Sequence, residues 1–241
     1  MRGKIRIGTA GWSIPKQQAA EFPGEGTHLE RYARRFSSVE INSSFYQPHM
    51  PATYARWSAS VPPGFRFAVK LPREISHLRR LVAVTEPLGR FLAEIAALGD
   101  RLGPLLVQLP PSFRYDETLV GAFLEILRAR FDGDVVCEPR HPSWFAESVD
   151  GMLTRFQVAR VMADPAPAPR AAVPGGWPGI SYRRLHGSPK MYYSGYSTEF
   201  LDLTAQAMRD TAANTRESWC IFDNTADGKA AEDALSLLTR L

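Results

Sequence analysis

Glu138, Arg140 and His141 stand directly after the apolar run at 135–137, so a carboxylate, a guanidinium and an imidazole arrive together at one strand end. That set can hold an anion and exchange a proton. Comparable endings recur along the chain: Glu40 and Asn42 after Val39, Lys70 after Val69, Gln108 after Val107, Asp164 after Ala163, His186 after Leu185, and Asn224 near Phe222. Side chains two apart on a strand share a face, which pairs Glu138 with Arg140, Glu40 with Asn42, Ala68 with Lys70, and Arg184 with His186. Acid–base catalysis is the chemistry these residues support, with Glu138 or Glu40 as general base and His186 or His141 as general acid. Lys70, His77, Arg140 and Arg184 would hold an anion, and Asn42, Gln108, Asp164 and Asn224 would add polar contacts. Trp12, Tyr46, Trp144 and Tyr196 offer aromatic faces for a base or a sugar ring.

Each residue also has a purely structural reading. Arg184 is the obvious counter-charge for Glu40, because a buried charge is costly unless paired. His77 and His141 can be loop histidines, Asp164 before Pro165 and Asn224 can cap turns, and the aromatic residues can pack helices on strands. Convergence at so many strand ends favours function. No Gly-rich phosphate loop, Cys/His metal spacing or Gly-x-Ser-x-Gly turn occurs in the chain, which argues against those three chemistries. No cofactor is predicted and no metal ligand is assigned. A divalent metal on Glu138, Asp164 and His186, with Glu40, is the alternative, and the neighbouring cations would repel it.

Delivering these residues to one rim requires strands alternating with helices. Alternation or apolar runs predict strands at 5–9, 39–42, 65–71, 105–109, 135–138, 159–163, 180–185 and 219–222. Helical spacing predicts helices at 27–36, 51–60, from Thr85 to the Gly103-Pro104 break, 117–130, from Pro142, 201–214 and 229–241. Eight strands in 241 residues give a repeat of roughly 30 residues, the size of a βα unit. The expected fold is α/β, a single TIM-like (β/α)8 barrel over residues 1–241, with a doubly wound sheet as runner-up. Catalytic residues of such barrels sit at the C-terminal strand ends. The Pro/Gly/Ala stretch at 165–178 stands where the sixth helix belongs, and reads as a surface loop or as a lid over the mouth with Trp177 at its tip.

Hydrophobic residues at 44% and charged residues at 22% are globular values. No apolar run approaches the roughly 18 residues of a membrane span, and a strand beginning near Lys4 leaves no room for a signal peptide, so a cytoplasmic location is expected. Cys137 and Cys220 lie in predicted strands, where unpaired cysteine acts as a small apolar residue. A net charge of +4 suits an anionic ligand.

The ordered segments Gly8-Thr9-Ala10-Gly11-Trp12, Val39-Glu40-Ile41-Asn42-Ser43-Ser44-Phe45-Tyr46, Phe67-Ala68-Val69-Lys70, Ser76-His77, Gln108-Leu109-Pro110-Pro111, Glu138-Pro139-Arg140-His141 with Trp144, Arg184-Leu185-His186-Gly187 and Phe222-Asp223-Asn224-Thr225 resemble the YecE-like family, domain of unknown function 72. The resemblance spans nearly the whole chain. It implies a TIM-like barrel and no particular reaction. Ala10, Ser76, Pro139 and Asp223 depart from the residues usual in the family, and Pro139 bears on how Arg140 is aimed. The expected ligand is an anionic, phosphate-bearing molecule: a nucleotide, a phosphosugar or nucleic acid. A non-catalytic nucleic-acid-binding barrel is the alternative, with Arg73, Arg79, Arg80 and Arg114 as its basic stripe. No membrane partner is expected, and the oligomeric state is left open.

Overall fold

The structure is a computed structural model and describes residues 3–241; residues 1 and 2 of the expected domain lie outside the described residues. In chain order the strands are β1 (Lys4–Thr9), β2 (Ser38–Ile41), β3 (Arg66–Lys70), β4 (Leu102–Gln108), β5 (Val135–Glu138), β6 (Val158–Arg160), β7 (Met162–Asp164), β8 (Gly175–Gly176), β9 (Ile180–Leu185) and β10 (Glu217–Phe222). The helices are α1 (His28–Ala33), α2 (Pro51–Ala59), α3 (Thr85–Ile95), α4 (Glu117–Arg128), α5 (Glu147–Arg155), α6 (Thr198–Ala212) and α7 (Lys229–Leu238). Local chemistry sets several starts. Thr27 and Glu30 form a capping box on α1, and the Asp116 and Ser197 side chains accept from N–H groups opening α4 and α6. Thr85 is the first residue of α3. Pro142 opens a short 3-10 turn, Pro142–Trp144, and α5 follows separately.

The ladders form two sheets, ordered β1-β10-β9-β7 and β2-β3-β4-β5-β6-β8, and every pair is parallel except β6 with β8. The fold is therefore mixed α/β with parallel sheets, and its ladders do not close into the expected ring. Two local causes are visible. The predicted strand 159–163 splits at Val161: β6 pairs with β5, whereas β7 pairs with β9. Between β1 and β2 the Tyr32 hydroxyl takes the place of a ladder bond, accepting from the Thr9 N–H at 2.8 Å and donating to the Ser38 carbonyl at 3.1 Å. Ser38 Oγ donates to the Ile7 carbonyl at 3.1 Å, and one bridge, Ala10 with Glu40, continues the seam. Gly8 permits this approach, since a Cβ there would stand 2.2 Å from the Ser38 carbonyl oxygen. Tyr32→Phe leaves both backbone groups buried and unpaired. We expect a loss of about 1–3 kcal/mol, read as a lower urea midpoint at unchanged slope.

Strand alternation sorts the core into two layers. Ala68, Leu106, Val136, Ala159, Val161, Ile180, Tyr182, Trp219 and Ile221 pack with one another inside, while their neighbours Phe67, Val69, Leu105, Val107, Val135, Cys137, Cys220 and Phe222 face the helices. Both cysteines are buried free thiols, pushed up to about 12 by burial.

The stretch 165–178 holds a 3-10 turn, Pro169–Ala172, and β8, and no α-helix. Its lid reading is overturned. Trp177 donates its N–H to the Val158 carbonyl at the start of β6, and its ring lines the opposite end of the sheets with Lys4, Asp134, Arg216 and Glu217. Arg160 anchors the stretch from outside, donating to the Arg170 carbonyl at 2.8 Å while pairing with Asp150 at 2.7 Å.

Candidate active site

On the inner face of five strands, the residue two positions beyond the last apolar side chain is polar: Lys70 beyond Ala68, Gln108 beyond Leu106, Glu138 beyond Val136, Arg184 beyond Tyr182, and Asp223 beyond Ile221. Most of these meet in one buried charge network. Arg184, fully buried at its centre, grips Glu40 through Nε at 3.0 Å and Nη2 at 2.7 Å. Its Nη1 reaches Glu138 Oε2 at 2.6 Å and its Nη2 reaches Asp223 Oδ2 at 3.0 Å. Tyr182 donates to Glu40 Oε2 at 2.9 Å. Arg140 pairs with Glu138 Oε1 at 2.7 Å. His186 bridges the carboxylates, with Nδ1 at 2.9 Å from Asp223 Oδ2 and Nε2 at 2.9 Å from Glu138 Oε1. Arg140 Nη2 lies 3.0 Å from the same Nε2.

Pairing decides protonation here. Burial pushes the Glu138 carboxyl up, but Arg184 and Arg140, helped by His186, outweigh it and hold the group well below the usual carboxylate range. Asp223 is likewise lowered against its burial, by Arg184, His186 and Lys70. Burial alone would lower Arg184, yet Glu40, Glu138 and Asp223 raise it well above its ordinary value. Glu40, Glu138 and Asp223 thus stand against Arg184, Arg140 and Lys70, with His186 bridging two of the carboxylates.

Parts of this network lack partners where it meets solvent. Asp223 Oδ2 is shared between Arg184 and His186, whereas Oδ1 has no partner among the described residues. Lys70 is 8% exposed and has no carboxylate oxygen within 4.0 Å of Nζ. Its Nζ sits 4.2 Å over the Phe45 ring, and the same ring packs edge-on against His77 at 4.8 Å. Burial, reinforced by Lys70, Arg73, Arg140 and Arg80, brings His77 down from 6.5 to about 4. Between those values the unfolded chain binds a proton that the folded His77 refuses, so this residue's contribution to stability is lost as pH falls through that window. An imidazole titration by NMR should give a midpoint near 4 for His77. A midpoint near the ordinary value of about 6.5 contradicts a cationic rim.

Several expected residues fall elsewhere. Trp144 is buried behind the strands, its Nε1–H donating to the Phe113 carbonyl at 2.9 Å, and touches no mouth residue of the network. Trp12 packs on Trp57 at 4.8 Å and on outward-facing Phe67 at 6.4 Å. Asn224 is buried and ties Ser194 to Asp233 through its Nδ2, at 2.9 and 2.7 Å. Asp164 accepts from the Tyr196 hydroxyl at 2.9 Å, and that hydroxyl accepts from the Gly187 N–H at 2.8 Å; the two residues latch the loop that follows β9. His141 Nδ1 accepts from the Ser143 N–H at 3.1 Å and caps the turn. Gln108 donates to the Leu109 carbonyl at 2.8 Å, Asn42 is half-buried with an unpartnered Oδ1, and Tyr46 is 70% exposed. Among the described residues no group of three or more His, Cys, Asp or Glu is placed to hold a metal ion, and the Asp164 carboxylate is engaged by Tyr196. No helix among them is long and apolar enough to cross a membrane.

Tyr182 and Asp223 were not among the expected site residues. Strand parity carries a signal for both: Tyr182 shares a face with Arg184 and His186, and Asp223 with Trp219 and Ile221. A cavity of about 1110 Å³ opens at the opposite, N-terminal end of the strands. Arg216 there is paired with Asp134 at 2.6 Å and largely exposed. We place the candidate site at the C-terminal end, where the partnerless acid and amine are.

Comparison with known proteins agrees with the ordered motifs. The family described as "Protein of unknown function DUF72" matches residues 6–241. UPF0759 protein YecE of Escherichia coli (strain K12) is 34% identical over 169 residues, covering 68% of this chain and 60% of that protein. The match therefore spans less than two thirds of that relative. UPF0759 protein YunF of Bacillus subtilis (strain 168) is 22% identical over 98% of this chain and 94% of its own length. A DUF72 family protein from Enterococcus faecalis V583 superposes with a TM-score of 0.83 at 25% identity, over 98% of this chain and 95% of that one. Another from Thermotoga maritima MSB8 gives 0.81 at 24%, over 98% of both chains. This chain belongs to the DUF72 family, whose YecE members carry the designation UPF0759.

Proposed function

We propose that the chain is an enzyme that performs acid–base chemistry on an anionic, phosphate-bearing ligand at the C-terminal ends of its strands. The ligand class is a nucleotide, a phosphosugar or a nucleic-acid end. The observation that carries this reading is the pairing of a free carboxylate oxygen, Asp223 Oδ1, with a cationic rim of Lys70, Arg140 and the arginines near His77. We take the two sheets as walls of one (β/α)8-type barrel, joined at Tyr32 and Val161 by side-chain bonds and chain continuity, with this site at its mouth. Arg140, whose Nη1 has no partner, receives the anion with His77 and the exposed Arg73 and Arg80. Asp223 exchanges the proton at Oδ1, and His186 behind it relays charge to Glu138. Glu40 and Arg184, each consumed by the other, hold the network rather than the ligand.

A screen of phosphorylated metabolites by thermal stabilisation, followed by turnover of the hits, tests this. Stabilisation that Arg140→Gln weakens by about tenfold or more in Kd is expected, a loss of about 1.4 kcal/mol. Stabilisation by no phosphorylated compound overturns it. The exposed Arg73, Arg79, Arg80 and Arg114, with exposed Tyr46, favour a second reading as a nucleic-acid-binding protein. That reading predicts binding to single-stranded DNA that weakens steeply with salt, without turnover.

A further inference from the structure

We infer that Lys70 is a nucleophilic amine, which condenses with the carbonyl group of an anionic aldehyde or ketone to form an imine at the end of β3. The inference rests on the site reading above and names the substrate's reacting group. A lysine normally reaches water or a carboxylate. Lys70 does neither fully: it is 8% exposed, with no carboxylate oxygen within 4.0 Å of Nζ. Glu40, Glu138 and Asp223, the carboxylates whose charge it feels, are already bound by Arg184, Arg140 and His186. Nζ sits 4.2 Å over the Phe45 ring. The residue is not fully closed off, since part of it remains exposed at the mouth, which leaves a substrate a way in. Burial and the Arg184 guanidinium lower Lys70 from its usual range, against the pull of Glu40, Glu138 and Asp223. Desolvation and a neighbouring cation are the two means by which lysine nucleophiles are activated.

The chemistry balances with groups at hand. The neutral amine forms a C–N bond as the carbonyl π bond opens. Through an intervening water, Asp223 Oδ1 takes one nitrogen proton and delivers it to the departing oxygen, a second nitrogen proton follows by the same route, and the oxygen leaves as water while C=N replaces C=O. Protonated again at nitrogen, the imine draws electrons from the adjacent carbon, so a weak base suffices to remove a proton there.

The chain has only five lysines, Lys4, Lys16, Lys70, Lys190 and Lys229, so labelling can be followed residue by residue. Lys190 is the internal control, because its Nζ also lies over an aromatic ring, Tyr193 at 4.0 Å, but on an exposed residue. The native protein is treated near pH 7.5 with glyceraldehyde or glyceraldehyde 3-phosphate and cyanoborohydride, and each lysine's reduced adduct is timed by peptide mass spectrometry. We expect Lys70 to be modified several-fold faster than Lys190 by both aldehydes, since an amine lowered from its usual range carries a larger neutral fraction near pH 7.5. Loss of the fast-reacting peptide in Lys70→Arg confirms the assignment. Modification of Lys70 no faster than Lys190 overturns the inference. The two aldehydes separate it from the site reading. Faster labelling by the phosphorylated one supports both, while fast but equal labelling upholds the amine and counts against a phosphate-bearing ligand.

Discussion

Arg184→Met largely unfolds the chain. The substitution removes the one cation that Glu40, Glu138 and Asp223 share and leaves three carboxylates buried without their main partner. Losing one member of a buried pair costs about 3–5 kcal/mol, and here three pairs go at once, against a total stability of about 5–15 kcal/mol. Arg184→Lys keeps the charge but not the fork that grips both Glu40 oxygens, and should fold with a melting temperature lowered by roughly 10 °C. Acid acts in the same direction. Glu138 and Asp223 are held below their ordinary values, so their stabilisation is present above those values and is lost as pH falls through the lowered ones. Both variants are read by circular dichroism on heating. An Arg184→Met protein that melts within a few degrees of the parent, and has lost only anion binding, would show Arg184 to be a ligand residue after all.

Asp223→Asn lowers kcat by about 10²–10⁴-fold, the range expected for removal of a general acid or base, on the substrate that the phosphorylated-metabolite screen returns. Asn fills the same space and keeps a donor-acceptor group near His186, so the ligand still binds and KM changes little. Arg140→Gln has the opposite profile, raising KM more than it lowers kcat, because its guanidinium meets the anion and not the reacting proton. Turnover of Asp223→Asn within threefold of the parent would remove Asp223 from the chemistry and return Glu138 to consideration.

The charge network was legible wherever a strand supplied an unambiguous alternation. Val136 and Glu138, or Arg184 and His186, can only share a face, and once one of them points inward its partner follows. Asp223 was harder to choose because Trp219, Ile221 and Phe222 are all apolar, so nothing local to β10 says which parity faces in, and adjacent Asn224 is an equally good polar strand end. Tyr182 was hidden for a related reason: a tyrosine among apolar residues reads as packing, and only Glu40, 142 positions away in the chain, gives its hydroxyl a role. Trp12 and Trp144 follow strand ends but turn toward helices, a choice made by Trp57, Phe67 and Phe113 rather than by their own neighbours. The seams between the sheets were equally out of reach. Tyr32 belongs to the helical pattern of α1, and nothing in that pattern tells that its hydroxyl replaces a backbone bond between β1 and β2.

The chemical role assigned to the mouth stands or falls on an anion settling there. The direct measurement is a titration of inorganic phosphate into the native protein, followed at the His77 imidazole signal by NMR, with chloride at matched ionic strength as control. A bound phosphate offsets Lys70, Arg73, Arg140 and Arg80, the cations that help bring His77 down to about 4. The signal should therefore shift saturably with phosphate, its midpoint should rise, and Arg140→Gln should abolish both effects. A His77 signal that phosphate well above about 1 mM leaves where chloride leaves it would contradict an anion site at this end of the strands.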